Sequence, residues 1–172
     1  MEMGARVFAL VRSTIVGTLF VSIWTWFLPR WLAGNRFRAE PNAPAIILMS
    51  IGALIMLRCI FDFAWRGLGT PAPFDPPRRL VVSGLYRWVR NPMYVGMGVL
   101  LAGEAMLLPA ITWSMLTMVS IMWIVTTLFI VAYEEPTLRR LFGAEYEAYC
   151  LNVRRWIPRL TPFDNSPTEA VH

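Results

Sequence analysis

Four apolar stretches of roughly bilayer-crossing length take up most of this 172-residue chain, at about 7–28, 43–65, 92–108 and 112–133. A helix needs roughly twenty apolar residues to cross a hydrocarbon layer about 30 Å thick. Lipid offers no partner to a backbone N–H or C=O, so such runs must close their hydrogen bonds internally, as helices. With 56% hydrophobic residues the chain falls in the membrane class. The expected fold is an all-α integral membrane protein of about four transmembrane helices, with cytoplasmic interfacial and C-terminal helices. Residues 1–160 are expected to form one membrane-embedded domain, and 161–172 a flexible polar tail. Pro109 and Ala110 leave so little chain between the last two runs that these must form a tight antiparallel hairpin.

The charges then set orientation and exclude several chemistries. All 16 basic residues are arginine, so no lysine is present for Schiff-base chemistry. The one histidine is His172, which leaves nothing from which to build a His-based general base, a triad or a His-rich metal site. Cys59 and Cys150 have neither ligand spacing nor a disulfide framework and read as packing residues. Arg6, Arg12, Arg66, Arg78, Arg79, Arg87, Arg90, Arg139, Arg140, Arg154, Arg155 and Arg159 flank the runs on one face, against Arg30, Arg36 and Arg38 on the other. That bias places both termini in the cytoplasm of a multi-pass protein, in a bacterial inner membrane. It also explains the net charge of +5 without nucleic acid. The start of the chain, which carries Glu2 and Arg12 and has no small-residue cleavage site, reads as a retained span.

Charges inside the runs are few. Arg58 and Asp62 are four apart on one helix face and can neutralise each other. Glu104, about 18 Å beyond Pro92 along a helix, must be protonated or face a partner or a cavity, in a substrate-cavity role or a helix-packing one. Trp113, Met115, Met118, Met122 and Trp123 read as packing residues.

The polar boundaries carry the candidate chemistry. At Arg90-Asn91-Pro92-Met93-Tyr94 a favoured N-cap residue precedes a proline at the first helical position, and the free N–H groups of such a helix start attract carboxylates and phosphates. The last run exits at Glu134-Glu135-Pro136, where two adjacent carboxylates half out of water resist ionising together. Tyr146 and Tyr149 then share one face of a surface helix. Ahead of the Asn91 junction, the Pro-rich stretch 70–77 is stiff and extended, as a lid or as a spacer.

In order and placement these pieces resemble the membrane methyltransferases that include isoprenylcysteine carboxyl methyltransferases and phospholipid N-methyltransferases. The carrying residues are Arg90 to Tyr94 with Gly96, then Glu134-Glu135-Pro136, then Phe142-Gly143-Ala144-Glu145-Tyr146-Glu147-Ala148-Tyr149 with Val153 and Ile157-Pro158. Asn91, where the carboxyl methyltransferases have His, and Ile130, where they have Arg, look more like the phospholipid branch. The Phe-Gly-x-Glu-Tyr segment resembles the other.

The resemblance implies S-adenosylmethionine bound at the cytoplasmic ends of the last spans, and a lipid-like or amphiphilic acceptor that enters from the bilayer. It implies Glu134 and Arg90 as catalytic residues. As cofactor-binding residues it implies Asn91, Pro92, Met93, Tyr94, Gly96, Glu134, Glu135, Tyr146, Tyr149 and Arg154. The expected activity is methyl transfer to a carboxylate or amine. The alternative is a non-enzymatic membrane protein, a small transporter or an assembly factor, which would use Glu104 and the Arg58/Asp62 pair instead.

Overall fold

The computed structural model describes residues 2–63, 65 and 79–164. The Pro-rich stretch 70–77 and most of the expected tail lie outside them. Every regular element among the described residues is a helix. The first apolar run folds as α1 (Glu2–Ser22), a π-helical turn Ile23–Phe27 and α2 (Leu28–Ala33). The second is α3 (Ala43–Asp62), the third α4 (Pro92–Leu107) and the fourth α5 (Thr112–Phe129). A second π turn, Ile130–Glu134, carries α5 into α6 (Glu135–Asn152), which is kinked at Gly143 (φ +50°).

Among the described residues three helical runs are long and apolar enough to cross a membrane: Leu10–Arg36, Ala43–Asp62 and Pro109–Asn152. The last is 44 residues, about 66 Å of helix and over twice the hydrocarbon thickness. Its apolar part ends at Tyr133, and the charged residues from Glu134 onward lie beyond the span. The third expected span, α4, is a shorter apolar helix of 16 residues, or about 24 Å. The expected tight hairpin is present, a 3₁₀ turn Pro109–Ile111 joining α4 to α5.

Local chemistry sets the helix ends. Asn42 caps α3: its Oδ1 accepts from the Ala45 N–H at 2.9 Å, while its amide donates to the Met106 carbonyl at the end of α4. Thr112 closes the other side of that end, donating to the Ala105 carbonyl at 3.0 Å. Orphan carbonyls of α4 are thus satisfied.

α3 and α4 pack antiparallel with almost no side chain between them. A Cβ at Gly52 would lie 2.5 Å from the Leu100 nitrogen and 2.6 Å from the Gly96 oxygen, and one at Gly103 would lie 2.8 Å from the Ala45 oxygen. Small residues that admit this approach are how apolar helices gain dispersion contact in lipid. Arg58 and Asp62 form the expected ion pair at 3.0 Å, with Asp62 fully buried. Gly84 (φ +55°) rests on that carboxylate, where a Cβ would collide with Oδ2. The pair therefore supports the 3₁₀ turn Gly84–Arg87 that leads into α4. Glu104 is 4% exposed with Oε2 unpartnered, on the far end of α4 from Asn91.

Candidate functional site

On its other side α4 diverges from α5, and a cavity of about 470 Å³ lies between them, closed by α1 and α3. That volume is within the usual range for a small-molecule site, about 300–1,000 Å³. Most of its wall is apolar, with Phe20, Trp24, Met56, Met97, Met122 and Phe129 among the lining residues. The ionisable groups gather at one end, where Arg90, Asn91 and Tyr94 at the start of α4 meet Glu134 at the exit of α5, beside Tyr86. Met93 completes that end.

Arg90 is held from behind. Its backbone N–H donates to the Arg154 carbonyl at 3.0 Å, and its Nη1 lies 3.3 Å from Glu135 Oε1 and 2.6 Å from the Cys150 sulfur. The Nε is buried with no hydrogen-bond partner. A buried guanidinium N–H without an acceptor costs about 1–3 kcal/mol, which an anionic group entering the cavity would relieve. Met93 and Tyr94 add backbone N–H groups that have no partner within the helix.

Asn91 stands at the N-cap position of α4, but its side chain makes no capping bond, contrary to the sequence expectation. The reason is geometric. With ψ at 56° the residue leaves the usual cap conformation, and its amide donates instead to the Arg155 carbonyl at 3.2 Å. Asn91 ties the helix start to the C-terminal segment.

The two adjacent carboxylates are separated in kind. Glu135 is 4% exposed and chelated by Arg155 at 2.8 and 3.0 Å, with Arg90 and Arg139 (4.0 Å) also close. Burial pushes its pKa up, but the Arg155 hydrogen bonds and the three guanidinium charges outweigh it, so the carboxyl stays below the ordinary range. Glu134 is half-buried and faces the cavity. Burial first, and the neighbouring Glu135 charge second, raise its pKa to about 7. The guanidinium partners hold one carboxyl as an anion, while burial pushes the other toward its protonated form.

The remaining expected residues stand outside the cavity wall. Pro92 is buried at the first turn of α4. Gly96 packs on α3, where a Cβ would meet Ile55 Cγ2 at 2.7 Å. Tyr146 and Tyr149 do share a face, but with Val153 they form a buried cluster behind the site, and Tyr149 donates to the Tyr86 carbonyl at 2.7 Å. The Arg154 side chain is exposed, and it is Arg155 that turns inward to Glu135.

The sequence reasoning missed the segment that positions all of this. Residues 153–164 run alongside the start of α4, with Arg159 N–H donating to the Trp88 carbonyl at 2.8 Å and Phe163 N–H to the Arg87 carbonyl at 2.9 Å. Arg87 returns the contact, its Nε donating to the Phe163 carbonyl at 2.6 Å. Trp156 packs against Trp123 of α5, the ring centroids 4.5 Å apart and the planes tilted by 40°. No periodic signal marks such a strap. The cavity-lining role of α1 likewise left no motif.

Among the described residues no group of His, Cys, Asp and Glu is arranged to hold a metal. A family model for phospholipid methyltransferase matches residues 42–145, which is 104 of the 172 residues. No curated protein and no solved structure matches the chain.

Proposed function

The chain belongs to the phospholipid methyltransferase family, and from that premise we propose that it transfers a methyl group from S-adenosylmethionine to an amine or carboxylate of a lipid-like acceptor dissolved in the membrane. The observation that carries this reading is the shared cavity end, where Arg90, Asn91, Met93 and Tyr94 converge with Glu134 above an apolar floor. A buried guanidinium N–H without an acceptor and a carboxylate on the same wall suit a ligand that carries both charges. The amino-acid end of S-adenosylmethionine is such a ligand.

Arg90 and the N–H groups of Met93 and Tyr94 would hold its carboxylate, and Glu134 its cationic side. When bound, S-adenosylmethionine supplies an electrophilic methyl on a sulfonium, chemistry that requires no metal. Glu134 takes the proton when the acceptor is an amine, since a group titrating near neutral pH is both available as a base and able to release the proton again. A carboxylate acceptor needs no base. The apolar walls exclude water and hold the acceptor in line, which supplies much of the rate. The arginine bias supports a cytoplasmic orientation for this end of the cavity.

Glu134→Ala tests the reading. With radiolabelled S-adenosylmethionine and membrane lipid extract, turnover should fall by about 10²-fold or more, while the variant still accumulates folded in the membrane. Wild-type turnover in that variant would refute the role of Glu134. Purified wild-type protein should be thermally stabilised by S-adenosylhomocysteine, because a ligand that binds only the folded state must raise its stability. No stabilisation at saturating ligand would refute the cofactor.

A further inference from the structure

We infer that the N-terminal helical run, through Phe20 and Trp24, selects the acceptor by the size of its apolar chain. This rests on the functional reading above and adds to it a wall that lies outside the matched residues 42–145. Val16, Gly17, Phe20 and Trp24 line the cavity opposite α5, and Phe20 and Trp24 sit one turn apart with ring centroids 6.2 Å from each other. Trp24 packs against the apolar cluster that holds Met56, Met97 and Met122, one turn below Phe20.

The cavity is long. Along α5 its lining runs from Glu134 down to Met122, twelve residues or about 18 Å of helix. A polar head that engages Arg90 and Glu134 occupies only the upper turn of that length. Below it, Met56, Met97, Met122 and Val125 are apolar and only the Trp24 indole N–H and the Thr126 hydroxyl can hydrogen-bond, so a nucleoside or sugar placed there would lose most of its partners with water. A hydrocarbon chain loses none.

The placement of α1 also leaves that chain a way in. α1 packs on α3 and its π turn on α4, but α1 and α5 face each other across the cavity without a close-packed seam. Methionines line the floor, and their flexible thioethers adapt to chains of differing shape. The aromatic pair formed by Phe20 of α1 and Trp24 of its π turn is the stiffer wall, so it sets the limit.

Phe20→Trp narrows the apolar part of the cavity and Trp24→Ala widens it. Each variant would be assayed with labelled S-adenosylmethionine and a series of lysophosphatidylethanolamines of increasing acyl length, alongside thermal stabilisation by S-adenosylhomocysteine and by each lipid. We expect Phe20→Trp to lose kcat/KM for long chains relative to short ones by about tenfold or more, and Trp24→Ala to shift the optimum to longer chains. Stabilisation by S-adenosylhomocysteine should be unchanged in both.

A length profile the same in both variants as in wild type overturns the assignment, as does an equal loss at every length. Loss of stabilisation by S-adenosylhomocysteine in Phe20→Trp also overturns it, giving the floor to the cofactor. If the wild type methylates none of the lipids, the functional reading fails, and the length dependence of lipid stabilisation still decides whether α1 measures the chain. Should Trp24→Ala fail to fold, Phe20→Ala makes the same test.

Discussion

The two faces of α4 are built on opposite principles. Toward α3, Gly52, Gly96 and Gly103 bring backbone against backbone, with no room for a Cβ. Toward α5, Gly98 meets only the Trp123 ring, at an ordinary 3.4 Å, and the helices then part around a cavity. Gly96 and Gly98 are two residues apart and sit on different sides of this divide. The tight seam fixes α4 as a rigid rail, which is what lets its other face stay open without the helix settling into the gap. A site in a membrane interior has no water-driven collapse to resist deformation, so a close-packed backbone contact takes that role.

The strongest way to break the contrast is Gly52→Leu. Its side chain would have to enter the space of the Leu100 nitrogen and the Gly96 oxygen, so we expect loss of about 3 kcal/mol or more, seen as disappearance of folded monodisperse protein in detergent. Gly96→Ala is the milder form, with an expected loss of about 1–3 kcal/mol in thermal unfolding. If it instead left stability intact and weakened S-adenosylhomocysteine binding, Gly96 would belong to the cofactor site and not to the seam.

The open face is sharpened by pH. The folded-state pKa of Glu134, about 7, lies above its ordinary value of 4.5, so its ionisation opposes the fold. The associated stability is fully present below about pH 4.5 and is lost as pH rises through about 7. Glu134→Gln should therefore match wild type near pH 4.5 and exceed it above about pH 8, by on the order of 2 kcal/mol. With an amine acceptor, wild-type kcat/KM should rise through the same interval and the variant should lack that limb. The smallest effect is expected at Gly98→Ala, within about 0.5 kcal/mol of wild type by thermal unfolding. A large loss there would mean that the two faces of α4 are equally packed.

Much of this was legible in the residues. Membrane-length apolar runs, the proline at the start of α4, the Pro109 hairpin and the Arg58/Asp62 pair each follow from local rules, and each appears where those rules put it. The convergence of Arg90, Asn91 and Tyr94 with Glu134 was suggested by resemblance and by position at two helix ends. What local rules do not encode is which neighbour a side chain turns toward. Arg154 and Arg155 are adjacent and chemically identical, and only the extended path of the strap decides that Arg155 meets Glu135. Asn42 and Asn91 both precede a proline within two residues, yet only Asn42 caps its helix, because Asn91 is claimed by a carbonyl 64 positions away. Tyr146 and Tyr149 lie on one face as spacing requires, and that face looks away from the cavity. Such outcomes depend on long-range partners that leave no periodic trace.

The strap has a consequence for biogenesis. Arg90, Asn91 and Arg87 each depend on acceptor carbonyls supplied by residues 154–163. During synthesis the apolar helices are all made, and can be threaded into the bilayer, before those carbonyls leave the ribosome. The start of α4 therefore takes its final hydrogen bonds only after the segment that follows α6 has been made and has folded back.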